Sequence, residues 1–138
     1  MKTKIMAIIL LAGCLSLCGC CTKNIDYRHY LSEWEYINNS SYDLEIHNNH
    51  RNLFLPIPAG QTDSAFKIEA VGHPYTLEDV TETPFDAESM TILINGERTV
   101  TCPAIGDVAN YSVTEVKNSS DPDLLYRFTY TFTDADFE

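Results

Sequence analysis

Apolar and polar residues alternate with a period of two along much of this chain. Tyr42, Leu44 and Ile46 alternate with Asp43, Glu45 and His47; Phe66, Ile68 and Ala70 alternate with Lys67 and Glu69. Near the end, Leu124, Tyr126, Phe128, Tyr130 and Phe132 alternate with Arg127, Thr129, Thr131 and Thr133. Strict alternation of this kind reads as half-buried strands. Shorter strands are expected at 35–38, 52–57 and 109–116. Turn-forming groups separate them: Asn39-Ser40-Ser41, Pro58-Ala59-Gly60, Gly72-His73-Pro74 and Asp121-Pro122-Asp123. The stretch 76–88 follows neither period and carries Glu78, Asp79, Glu82, Asp86 and Glu88, so it reads as a crossover between sheets with a helical turn. Seven to eight short strands and no long helix predict an all-β fold, an immunoglobulin-like β-sandwich of antiparallel strands, with a closed barrel as the alternative.

Two places allow more detail. Asn95-Gly96 suits a two-residue type I′ turn that sets Ile92 opposite Thr99 and Met90 opposite Thr101. A three-residue loop of Ile94, Asn95 and Gly96 instead sets Met90 opposite Val100 and Ile92 opposite Arg98, with Cys102 on the same face. This bulged register is preferred, because a one-residue slip turns an apolar face outward. In the last strand, five large residues on one face are too many to leave in water, so that face is expected to close the core.

The N-terminus has a different pattern. Lys2 and Lys4 precede an apolar run over 5–17, as in a secretory signal, and Cys14, Cys18, Cys20 and Cys21 then crowd the expected cleavage region. The stretch resembles the lipobox of bacterial lipoproteins, in which a Leu three residues before a Cys, and a small residue just before it, direct lipidation of that Cys and cleavage ahead of it. Leu17-Cys18-Gly19-Cys20 fits and leaves a 19-residue signal; Leu11-Ala12-Gly13-Cys14 fits better as a motif but leaves only 13. Cys20 is preferred, with Cys14 the alternative. An uncleaved anchor over 5–21 is a third reading, at the short limit for a bilayer span. The expected organisation is a signal at 1–19, a lipidated Cys and tether at 20–33, and one domain at 34–138. The resemblance implies two or three acyl chains on the Cys, enough for lasting attachment at roughly 0.8 kcal/mol per buried methylene.

Charge narrows the partners. Lys2 and Lys4 fall in the signal, so the mature part holds seven basic against twenty acidic residues, a formal charge of −13. That surface repels nucleic acid and anionic headgroups, so membrane attachment rests on the lipid. With Cys20 acylated, only Cys21 and Cys102 remain, which rules out a disulfide framework. Cys102 reads as a small buried hydrophobe rather than a nucleophile.

Candidate chemistry is sparse. His47 and His50 sit three apart in a polar hairpin loop with no further ligand fixed by spacing. Asp121, Asp123, Asp134, Asp136 and Glu138 do not match a calcium-loop spacing. No catalytic residue, cofactor or metal is assigned. Asp63-Ser64-Ala65 resembles the short sequon at which Bacteroidetes O-glycosylate exported proteins, making Ser64 a candidate acceptor. With Tyr36-Ile37-Asn38-Asn39-Ser40-Ser41-Tyr42-Asp43-Leu44-Glu45-Ile46, the Pro58-Ala59-Gly60-Gln61 turn and the aromatic last strand, the chain resembles the small envelope lipoproteins of Bacteroidetes. The resemblance implies envelope residence and a β-sandwich fold, and carries over no functional residues. The expectation drawn beside it is a lipid-anchored protein of the bacterial cell envelope, at the outer membrane, that acts as a non-enzymatic module contacting a protein or glycan. A small inhibitor or immunity-type lipoprotein is the alternative, and a hydrolase comes after it.

Overall fold

The computed structural model describes residues 26–50, 52–85 and 90–137. They form eight strands: β1 (Arg28–Asn38), β2 (Leu44–Asn48), β3 (Leu53–Ile57), β4 (Thr62–Val71), β5 (Met90–Ile94), β6 (Arg98–Val100), β7 (Ser112–Glu115) and β8 (Leu124–Phe132). Two four-stranded sheets result, ordered β4-β1-β8-β7 and β3-β2-β5-β6, in a β-sandwich-like arrangement around one core. The first strand takes in Arg28–Glu33, a stretch read from sequence as tether.

The alternating patterns place the core. On β1, Ser32, Trp34, Tyr36 and Asn38 are buried while Glu33, Glu35 and Ile37 are half-exposed. Facing them across the sandwich are Leu44 and Ile46 of β2, Leu55 and Ile57 of β3, and Met90, Ile92 and Ile94 of β5. Phe128, Tyr130 and Phe132 of β8 are buried as expected, with Tyr126 packed half-buried against the core, and Trp34 stacks on Phe128 at 4.2 Å between centroids. Leu124, expected on the same face, instead pairs with Leu31 of the outer face across a register shift, and Leu125 packs against the core in its place. Large apolar rings in such close contact gain dispersion and bury a large area. Tyr111 meets the edge of Trp34, and its single hydroxyl proton goes to the Ile105 carbonyl at 2.7 Å; it therefore accepts from Tyr36 Oη at 3.3 Å. Burial drives the pKa of Tyr36 and Tyr111 far upward, so both stay neutral hydrogen-bonding groups.

Three further expectations need correction. The strands are not all antiparallel: β1 and β8 run parallel as central neighbours of the first sheet. Chain ends far apart in sequence can pair in this way without a dedicated crossover helix. The hairpin register also differs from both expected ones. Asn95 and Gly96 both take left-handed φ, 51° and 71°, the Glu97 N–H closes the turn on the Ile94 carbonyl at 3.1 Å, and Glu97 itself is left over. Arg98 thus pairs with Ile94 and Val100 with Ile92, which keeps apolar against apolar.

The third correction concerns β4, whose apolar face points outward. Ala65 is buried, whereas Phe66 and Ile68 are 58% and 67% exposed. The crossover after β4 explains the inversion, because it supplies partners for charged groups on the inner face. Lys67 Nζ lies 2.7 Å from Glu69 Oε1 and donates to the Glu82 carbonyl at 2.7 Å, while Tyr75 Oη donates to Glu69 Oε2 at 2.8 Å. With both charges paired, neither is left as an uncompensated buried charge. The crossover does carry the expected helical turn, a 3₁₀ segment Leu77–Asp79, and its Phe85 packs edge-on against Tyr36.

Candidate functional site

The register of β4, β1 and β8 lays out the outer face of the first sheet in rows. Ile68, Leu31 and Leu124 form one row; Phe66, Glu33 and Arg127 the next; Ser64, Glu35 and Thr129 the third, with Ser112 of β7 beside Thr129. An apolar row therefore abuts a charged one. Arg127 Nε donates to Glu33 Oε2 at 2.7 Å, an interaction that raises the Arg127 pKa further and fixes its charge. The second oxygen of Glu33 accepts weakly from Ser64 Oγ at 3.5 Å, and Glu35 accepts from Thr129 Oγ1 at 3.3 Å. The polar groups of this face are tied to one another. Phe66 and Ile68 are left to solvent as two large exposed apolar side chains.

Ser64 lies on that face, half-buried, with its N–H on the Asp63 carboxylate at 2.8 Å. The lipidation candidates Cys20 and Cys14 lie outside the described residues. Among the described residues, no helix is long and apolar enough to cross a membrane.

The other candidates are held in structural roles. Cys102 is buried, its Sγ 3.7 Å from Tyr130 Oη, which in turn donates to Asp136 Oδ1 at 3.0 Å. Burial pushes the thiol pKa up, against a weaker opposing pull from Tyr130, so the thiolate needed of a nucleophile is disfavoured. Asp136 accepts the Thr133 N–H at 2.7 Å and hydroxyl at 3.0 Å, while Asp134 reaches back to the Ser41 N–H at 2.7 Å. Asp121 accepts the Asp123 N–H at 3.0 Å. These carboxylates stabilise turns, and among the described residues no three His, Cys, Asp or Glu converge as metal ligands. His47 belongs to β2 rather than to a loop, its ring tilted against Phe54 and lying 3.3 Å from Glu45; His50 is in the turn that follows.

A shallow pocket of about 290 Å³ lies where β1 begins, lined by Asp26, Arg28, Tyr30, Val71, Gly72, His73 and Pro74. Beneath it Tyr30 stacks on Tyr75 at 5.0 Å, and His73 Nε2 sits 3.3 Å from Asp79.

Sequence reasoning missed Asn38. Fully buried, its Nδ2 donates to the carbonyls of Tyr42 and Ile57 at 2.7 Å each, and its Oδ1 accepts from Ser40 N at 3.0 Å. One amide thus ties β1 to the loop after it and to β3. The available signal was a polar residue continuing the inward set Trp34 and Tyr36 at strand spacing. No protein-family model, curated protein or solved structure matches this chain.

Proposed function

We propose that this chain is a lipid-anchored protein of the bacterial cell envelope, at the outer membrane, held by an acylated Cys20 and serving as a non-enzymatic interaction module. The lipobox-like Leu17-Cys18-Gly19-Cys20 supports the anchor. The start of β1 at Arg28 leaves eight residues from Cys20 onward, spanning at most about 30 Å when extended, so the domain stands close to the lipid surface. Eight short strands in two sheets of four, with a fully buried Trp34 against β8, favour an immunoglobulin-like arrangement as the finer description.

The interaction reading is carried by one observation: the outer face of the first sheet exposes Phe66 and Ile68 next to the Glu33–Arg127 pair. Phe66 stands there with aliphatic neighbours rather than with other rings, which suits a protein surface better than a stacking platform for sugar. A hydrolase would need converging carboxylates or an activated nucleophile, whereas Glu33, Glu69, Asp79, Asp121, Asp134 and Asp136 serve turns and ion pairs.

Membrane fractionation tests the reading. The natural chain should sediment with membranes and resist extraction by high salt, and Cys20→Ala should move the domain to the soluble fraction. A Cys20→Ala chain that stays membrane-bound would move the anchor to Cys14 or to an uncleaved 5–21 segment.

A further inference from the structure

Three of the four sheet edges are poor templates for another chain. β6 has three residues, β7 has four, and β3 has five with Pro56 among them. Short or proline-bearing edges are how β proteins avoid pairing with one another. The fourth edge, β4, runs ten residues without proline, glycine or a register shift.

Its backbone groups can be assigned from those of β1. The Asn38 N–H donates toward β4, to the Gln61 carbonyl at 2.9 Å, whereas the Leu31 N–H donates away from it, to the Asp123 carbonyl at 2.9 Å. Odd-numbered residues of β1 therefore turn their backbone groups away from β4. Their partners on β4 do the same in the opposite direction, because antiparallel strands alternate hydrogen-bonded and non-hydrogen-bonded pairs. Phe66, Ile68 and Ala70, paired with Glu33, Leu31 and His29, thus aim their N–H and C=O groups at the open edge. Among the described residues, none of these groups is hydrogen-bonded to another element. The three side chains all lie on the uncharged outer face of β4.

We propose that a second copy of this chain docks antiparallel along this edge, with Ile68 on the two-fold axis. Ile68 then opposes Ile68 of the second copy, and Phe66 opposes its Ala70, each pair exchanging two backbone hydrogen bonds. On the inner face Lys67 falls opposite Glu69 of the second copy, and Ala65 opposite its Val71. Opposite charges and apolar pairs match throughout, which fixes the register. Moving the axis by one residue sets Lys67 against Lys67 or Glu69 against Glu69. The product is one continuous eight-stranded sheet with a doubled outer face. It depends on the edge of β4 and stands independently of the lipid anchor.

Sedimentation equilibrium of the full chain in mild detergent, over a concentration series, tests this. The natural chain should show a monomer–dimer equilibrium. Ile68→Lys places two ammonium groups face to face and should weaken association by about tenfold or more, a cost of about 1.4 kcal/mol; Ile68→Glu should do the same. Mixing the two variants should restore the dimer, which also shows that each remains folded. A natural chain that stays monomeric at the highest attainable concentration overturns the proposal. So does a dimer indifferent to Ile68→Lys, since association would then run through the anchor or another face. Two monomeric variants that fail to complement each other would refute the register.

Discussion

Replacing Phe128 by Ala should be among the most damaging single changes in the domain. Its ring is fully buried at the middle of β8, stacked on Trp34 at 4.2 Å with 9° between planes and near Tyr126. Truncation to Ala removes on the order of 150 Å² of buried apolar surface, which at ~25 cal/mol per Å² gives about 4 kcal/mol. Neighbours from both sheets hold the space open, so a cavity penalty keeps the loss in the range of about 3–5 kcal/mol. Domains of this size have roughly 5–15 kcal/mol in all. Urea unfolding followed by Trp34 fluorescence should then show the midpoint falling by about 2 M, for a slope near ~2 kcal/mol per M. Thr129, one residue along, faces outward with a long hydroxyl contact to Glu35 at 3.3 Å. Thr129→Ala should cost about 0.5 kcal/mol or less. A Phe128→Ala midpoint within ~0.3 M of the natural protein, beside a larger Thr129→Ala effect, would mean that the faces of β8 are reversed and the core is misplaced.

Two further outcomes follow from electrostatics and burial. Asp79 accepts the Thr76 backbone N–H at 2.7 Å and the Thr76 hydroxyl at 3.1 Å, and these bonds hold its pKa below the ordinary Asp value. A depressed carboxylate contributes stability that is present above its unfolded pKa and lost as pH falls through the folded one; an NMR titration should therefore place Asp79 below the ordinary aspartate value, and an ordinary midpoint would refute the turn geometry. In a chain beginning at Asp26, Cys102 should resist an alkylating reagent at pH 8 while folded and react at once in urea; rapid labelling of the native form would contradict its burial and raised pKa.

The fold was legible where a single period governed both burial and pairing. The aromatic row of β8 and the alternation in β2 named their inward residues correctly, because nothing but the opposite sheet competes for those faces. On β4 the same rule pointed the wrong way. Lys67 and Glu69 turn inward because Tyr75 and Glu82, from the irregular crossover that follows β4, arrive to satisfy them, and no periodic pattern announces such partners. The hairpin failed for a smaller reason: Asn95 and Gly96 signalled the turn, but the spare Glu97 that sets the register depends on how Val100 and Ile92 meet across the sheet. The parallel pairing of β1 with β8 is a property of topology, which short-range patterns do not encode. As for the contact surface, Phe66 and Ile68 were visible in the sequence, yet as core residues; only the inversion of β4 turns them into an exposed row beside Arg127.

The central claim, that the domain is carried on a membrane by lipid at Cys20, is tested most directly by the intact mass of the protein extracted from membranes in detergent. The expected mass is that of a chain beginning at Cys20 plus two or three acyl groups on that residue. An N-terminus at Cys14, an unacylated chain, or a full-length chain beginning at Met1 would contradict it.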